Sequence, residues 1–163
     1  MSLRRIVVDN SAVIPAYFPE ADNDDFDAGL VNNRARSLVQ AIRIRNVSAY
    51  VPPSFFREFL NVSTRPLDQP GGWKINHVEE IRAQWEDLLS LPLIVVPHDE
   101  IVHHSGVLVF DDHCPAADAR YVAAAIHTSA DLWMSHEHRD GLAHIARKYI
   151  KKVGLLSIEA PSF

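Results

Sequence analysis

The sequence predicts an α/β fold: a central parallel sheet with helices on both faces. Three observations predict it. Short runs rich in β-branched and aliphatic residues recur along the chain, at Arg5–Val8, Ser48–Val51, Leu93–Val96, Leu132–Met134 and Leu155–Ile158. Between them lie longer stretches with apolar residues at helical spacing. Most of the junctions carry proline, glycine, asparagine or aspartate. Strands alternating with helices favour parallel pairing, because each crossover helix needs a sheet face to cover.

Taken in order, Arg5–Val8 is a strand ending at Asp9, and Asn10, Ser11 and Pro15 are expected to break that strand. Glu20–Asp27 is an acidic loop leading into a helix over Ala28–Arg45, where Leu30, Val31, Ala35, Leu38, Val39 and Ile42 recur. Ser48–Val51 is the second strand. Pro52-Pro53-Ser54 opens a helix to about Val62, since proline suits a first turn. Arg65–Trp73 is a loop by its Pro66, Pro70, Gly71 and Gly72. A helix from Asn76 or His77 to Leu89 carries Val78, Ile81, Trp85 and Leu88 or Leu89 on one face. Leu93–Val96 is the third strand. Asp99–Phe110 is helical with a fray expected at Gly106, and Asp111–Pro115 is a break. Ala116–Ala130 is an alanine-rich helix whose small side chains allow close approach to a sheet. Leu132–Met134 is a strand, Glu137–Lys152 a helix with basic residues toward its end, and Leu155–Ile158 a last strand. No repeat or linker interrupts residues 1–163, so one domain is expected.

Composition excludes several classes. With 47% hydrophobic and 23% charged residues, the chain matches ordinary globular proteins. Its longest apolar runs, Leu91–Pro97 and Gly106–Phe110, are too short to cross a membrane, and no secretory signal is expected. The single cysteine, Cys114, cannot form an internal disulfide and suits a reducing cytoplasm. The net charge of -5 gives no general affinity for nucleic acid. An acidic protein can still handle phosphates if its acids hold metal ions.

The acids are therefore the informative residues. Ligands of open parallel sheets bind beyond the carboxyl ends of the strands. Asp9 ends the first strand, Glu58 lies in the helix after the second, and Asp118 is in the first turn of the alanine-rich helix. Glu137 and Asp140 follow the Leu132–Met134 strand. Each has an ordinary alternative: Asp9 as a helix cap, Asp118 as a dipole charge, Glu58 as a solvated helix residue. Gathered at one edge, such carboxylates repel unless cations neutralise them. Oxygen ligands suit Mg²⁺ or Mn²⁺, which can activate water and stabilise the leaving oxygen of a phosphodiester.

Three stretches bear a resemblance. Ile6-Val7-Val8-Asp9-Asn10-Ser11, Pro53-Ser54-Phe55-Phe56-Arg57-Glu58-Phe59-Leu60-Asn61-Val62 and Ala117-Asp118-Ala119-Arg120-Tyr121-Val122-Ala123-Ala124-Ala125 resemble the successive motifs of the PIN-domain family. In particular they resemble VapC-type toxin ribonucleases of bacterial toxin–antitoxin pairs. The likeness runs from about Arg5 to Lys152. It implies a PIN-like domain that cuts RNA with Mg²⁺ or Mn²⁺, held by Asp9, Glu58 and Asp118 with Glu137 or Asp140 helping. Ser11 would orient Asp9 or a water, and Asn61 would do the same for Glu58. The family also implies a homodimer and a short antitoxin partner. One departure stands out: Ser135-His136-Glu137 has glutamate where the family has aspartate, which leaves the fourth acid open between Glu137 and Asp140.

Other features are weaker. Arg57 and Arg139 neighbour proposed acids and are candidates for RNA phosphates. Nine histidines include His136, His138, His103-His104 and His113, but none has paired zinc-ligand spacing. Trp73, Trp85 and Trp133 are too scattered for a base-stacking platform. A haloacid-dehalogenase phosphatase would need an acid where Ser11 stands, and a receiver domain would need a lysine after a late strand. The remaining alternative is a PIN-like module that binds RNA or protein without cutting.

Overall fold

The computed structural model describes residues 3–18, 26–64, 78–135, 142, 144–145, 148–150 and 153–155. Its elements are β1 (Arg4–Val8), α1 (Asn10–Tyr17), α2 (Phe26–Arg43), β2 (Val47–Val51), α3 (Ser54–Ser63), α4 (Val78–Ser90), β3 (Ile94–Val95), α5 (His98–Phe110), α6 (Ala116–Thr128), β4 (Asp131–Met134) and β5 (Val153–Leu155). Leu142, His144, Ile145, Lys148 and Tyr149 also have helical backbone.

The five strands form one sheet in the order β3-β2-β1-β4-β5, and every pairing is parallel. Ile6 lies beside both Ala49 and Asp131, so β1 is central. Ile6, Val7 and Val8 are all buried, as a strand covered on both faces requires. Right-handed crossovers then fix the layers. The chain moves one way from β1 to β2 to β3, which puts α1–α4 on one face. It returns past β1 to β4 and β5, which puts α5 and α6 on the other.

Packing follows the sequence pattern. On α2, Ala35, Leu38, Val39 and Ile42 form the buried stripe. On α3, Phe55 and Phe59 are fully buried one turn apart, and Phe59 meets Tyr17, Phe18 and Trp85 in a ring cluster. On α6, Ala119, Val122, Ala123, Ala124 and Ala125 are buried, and their small side chains let α6 lie close against β1, β2 and β4. Trp133 is wholly buried in β4, and Trp85 packs at the edge of the core.

The structure departs from expectation in four places. Asn10, Ser11 and Pro15 do follow the end of the strand, but they lie inside a helix, α1, that was not expected there. An interior proline costs a helix about 3 kcal/mol. Here Asp9 caps the helix by accepting from Ser11 N, and Ala12, Val13, Ile14 and Tyr17 are buried, which offsets that cost. Helix α5 runs through Gly106 without a fray. Val78 is 70% exposed, so the inward face of α4 begins at Ile81. The third strand shrinks to Ile94–Val95, an exposed edge. The Glu20–Asp25 part of the acidic loop, the Arg65–Trp73 loop and Leu155–Ile158 beyond Leu155 lie outside the described residues. Among the described residues no helix is long and apolar enough to cross a membrane.

Candidate active site

In a parallel sheet whose order reverses at β1, the neighbouring strands β1 and β4 send their crossovers to opposite faces. A crevice opens at their carboxyl ends. Asp9 and Ser135 stand at those two ends. Asp9 N–H donates to the Trp133 carbonyl at 2.9 Å, continuing the β1–β4 ladder by one residue. The chain then turns directly into α1.

Ser11 pins that turn. Asp9 Oδ2 accepts from Ser11 N at 3.0 Å and from the Ser11 hydroxyl. The same hydroxyl oxygen accepts from Ser135 N–H at 2.9 Å, across the switch point. Ser11 therefore fixes the Asp9 carboxylate by hydrogen bonds and also clasps the end of β4. Asp9 is both the α1 cap and a buried acid, only 4% exposed. A buried carboxylate is tolerated where donors and positive partial charges meet it, and the N-terminus of α1 supplies both.

Glu58 reaches the same place from α3. Phe55 and Phe59 anchor one face of that helix in the core, and Glu58, three residues after Phe55, follows them inward. Its Oε2 accepts from the Tyr121 hydroxyl at 2.5 Å, with Asn10 Nδ2 at 3.4 Å. Its Oε1 is buried without a hydrogen-bond partner, and Arg120 Nη2 stands 3.9 Å away. Asn10 Nδ2 also donates to the Phe55 carbonyl at 2.8 Å and to the Tyr121 oxygen at 3.0 Å. Asn10 Oδ1 is a second buried acceptor with no partner. Burial, the charge of Asp9 and the bond to Glu58 push the Tyr121 phenol far above its usual range. It stays protonated and acts as a donor to Glu58.

Asp118 lies in the first turn of α6, one turn before Tyr121, and is half-buried. Burial and then the charges of Asp118 and Asp112 push the nearby Cys114 thiol up to about 11, so it is inert at neutral pH. Arg57 and Asn61 are exposed on α3. Glu137, Arg139, Asp140, His136 and His138 lie outside the described residues. The structure thus brings Asp9, Ser11 and Glu58 to one locus. Among the described residues no three His, Cys, Asp or Glu side chains lie close enough to share one ion. The donors are nevertheless of the right kind. Two neighbouring acids, one with a buried oxygen that accepts no hydrogen bond, are oxygen donors of the kind a hard divalent cation takes.

Sequence reasoning missed Asn10, Arg120 and Tyr121 as members of this locus. The sequence held a signal for two of the three. Asn10 is adjacent to Asp9, and Tyr121 is three residues from Asp118, on the same helix face.

No protein-family model and no curated protein matches the sequence. Solved structures match the fold. A chain in the structure of FitAB bound to the IR36 DNA fragment aligns over 97% of this chain and 99% of its own, with a TM-score of 0.59 and 13% identity. The chain has a PIN-like fold. At that identity the likeness extends to the path of the backbone, and the chemistry of the PIN-like domain must be read from its own residues.

Proposed function

We propose that this PIN-like domain is a divalent-metal-dependent ribonuclease that hydrolyses phosphodiester bonds of RNA, and that it is the toxin of a toxin–antitoxin pair. One observation carries the reading: Asp9 and Glu58 both act on Tyr121 near the switch point of the sheet, and Glu58 keeps a buried oxygen with no hydrogen bond, faced by Arg120 at 3.9 Å. Nothing in a purely structural role requires that opening, since an unsatisfied buried acceptor costs about 1–3 kcal/mol.

Asp9, Glu58 and Asp118 would hold Mg²⁺ or Mn²⁺, with Glu137 or Asp140 from the segment after β4. When bound, the ion supplies water activation and neutralises charge on the phosphodiester. The chain's own residues do the rest. Ser11 holds Asp9 in one orientation and keeps the ends of β1 and β4 together. Tyr121 and Asn10 hold Glu58. Arg120, beside Glu58, and the exposed Arg57 offer guanidinium groups to RNA phosphates. The resemblance to toxin ribonucleases further suggests a cytoplasmic homodimer inhibited by an antitoxin protein.

A second reading has one observation in its favour. No three acids gather tightly among the described residues, as in a module that binds RNA or protein without cutting. Cleavage of varied RNAs with Mn²⁺ separates the two. Mn²⁺-dependent cutting that is lost in D9N supports the nuclease. RNA binding without cutting supports the binding module, and cutting by D9N at the wild-type rate overturns the assignment of the site.

A further inference from the structure

We infer that Tyr121 and Asn10 are positioning residues of the acid site, which decide the oxygen of Glu58 that stays open to a divalent cation. This inference rests on the metal-site reading above. It begins with the Asn10 amide, which can be oriented in one way only. Its Nδ2 lies 2.8 Å from the Phe55 carbonyl oxygen, a group that can only accept. A flipped amide would press two oxygens together. Nδ2 therefore donates to Phe55, and its second hydrogen serves the Tyr121 oxygen at 3.0 Å.

With Asn10 donating to it, the Tyr121 hydroxyl has its proton directed to Glu58 Oε2 at 2.5 Å. The donors thus run in one direction, from α1 through α6 to the carboxylate on α3. An amide NH₂ has two hydrogens, so the 3.4 Å approach of Nδ2 to Oε2 is a third and weaker contact. The outcome is an asymmetric carboxylate: Oε2 is engaged, and Oε1 is buried with no hydrogen bond. The last torsion of a glutamate is soft and roughly two-fold. Without Tyr121 only the 3.4 Å contact from Asn10 to Oε2 and the 3.9 Å approach of Arg120 to Oε1 would distinguish the two oxygens.

Tyr121 is itself 2% exposed and Asn10 6%, so neither reaches solvent to contact RNA broadly. Both act through Glu58. Second-row partners of metal ligands commonly set affinity by 10–100-fold, and this geometry assigns that part to a phenol and an amide.

The test is Mn²⁺ titration by calorimetry of wild type, Y121F, E58Q and the Y121F/E58Q pair, with the thermal midpoint of each metal-free protein taken beside it. Y121F should remain folded and bind Mn²⁺ about tenfold more weakly than wild type. In the E58Q background the same change should have little further effect, because no charged carboxylate remains to be positioned. A Y121F protein with wild-type affinity overturns the positioning role and leaves the metal site standing. An equal loss in both backgrounds also overturns it, because that is the mark of general loosening. Wild type that binds no Mn²⁺ overturns the metal reading, and this inference with it. Should Y121F fail to fold, Asn10→Ala breaks the same line of donors one step earlier and should weaken Mn²⁺ binding severalfold; unchanged binding there counts against the proposal.

Discussion

Two carboxylates in this fold each accept a tyrosine hydroxyl and each stand beside an arginine, yet only one of the groups is closed. Asp87 on α4 accepts from Tyr17 at 2.8 Å, and Arg43 Nη2 reaches both of its oxygens, at 2.9 and 2.7 Å. Every strong acceptor is used, and three helices are tied together. Burial alone would raise the Asp87 carboxyl, but the hydrogen bonds from Arg43 and Tyr17 and the arginine charge outweigh it and hold it below the usual range. Glu58 has the same kinds of partner. There the tyrosine takes one oxygen, while Arg120 stops at 3.9 Å and leaves the other without a hydrogen bond. A tyrosine–carboxylate–arginine group is therefore a structural tie when saturated and a candidate site when left open. The difference lies in about an ångström of arginine reach.

The largest contrast should come from neutralising each acid. E58Q should lower Mn²⁺-dependent RNA cleavage on the order of a hundredfold or more, while its thermal midpoint changes little. D87A should do the reverse: cleavage is retained, and urea unfolding shows a loss of about 1–2 kcal/mol, the cost of an unpaired tyrosine hydroxyl and a broken exposed ion pair. If D87A abolishes cleavage, or E58Q leaves it intact, the contrast between closed and open groups fails.

Acid should expose the closed group next. The carboxyl of Asp87 is depressed by folding, so its contribution is present above the ordinary value of 3.8 and disappears as pH falls through the folded value. Asp112 behaves alike: the hydrogen bond from Lys148, then that from Tyr149, lowers it. The stability gap between wild type and D87N, measured by urea unfolding, should be constant from pH 7 to about pH 5 and narrow below about pH 4. A gap that widens on acidification contradicts the sign. The smallest effect concerns Arg120. A cation near the open oxygen competes with a metal ion only by long-range charge, so R120Q should tighten Mn²⁺ binding no more than about threefold in calorimetry. A large loss of affinity would show that Arg120 organises Glu58.

Much of this was readable from the chain, for identifiable reasons. Ile6, Val7 and Val8 are apolar in both phases, so the central strand and its terminal Asp9 stand out. Glu58 stands out because Phe55 and Phe59 commit its side of α3 to the core. Helix α1 was hidden because Asn10, Ser11 and Pro15 have breaking propensities, and only tertiary burial of Val13, Ile14 and Tyr17 overrides them. The Asn10–Tyr121 contact joins residues 111 positions apart, and no local spacing encodes it. Glu137 and Asp140, the two residues expected as candidates for a fourth acid, lie outside the described residues.

As proposed, Asp9 and the Glu58 oxygen that accepts no hydrogen bond would hold one divalent ion at the switch point. Anomalous diffraction from crystals grown with Mn²⁺ tests it most directly. A single ion should appear, bound by Asp9 and Glu58 together, with Asp118 turned toward it and Glu58 Oε2 still accepting from Tyr121. An ion bound elsewhere, or a Glu58 that keeps both oxygens on Tyr121 and Arg120 in saturating Mn²⁺, would contradict it.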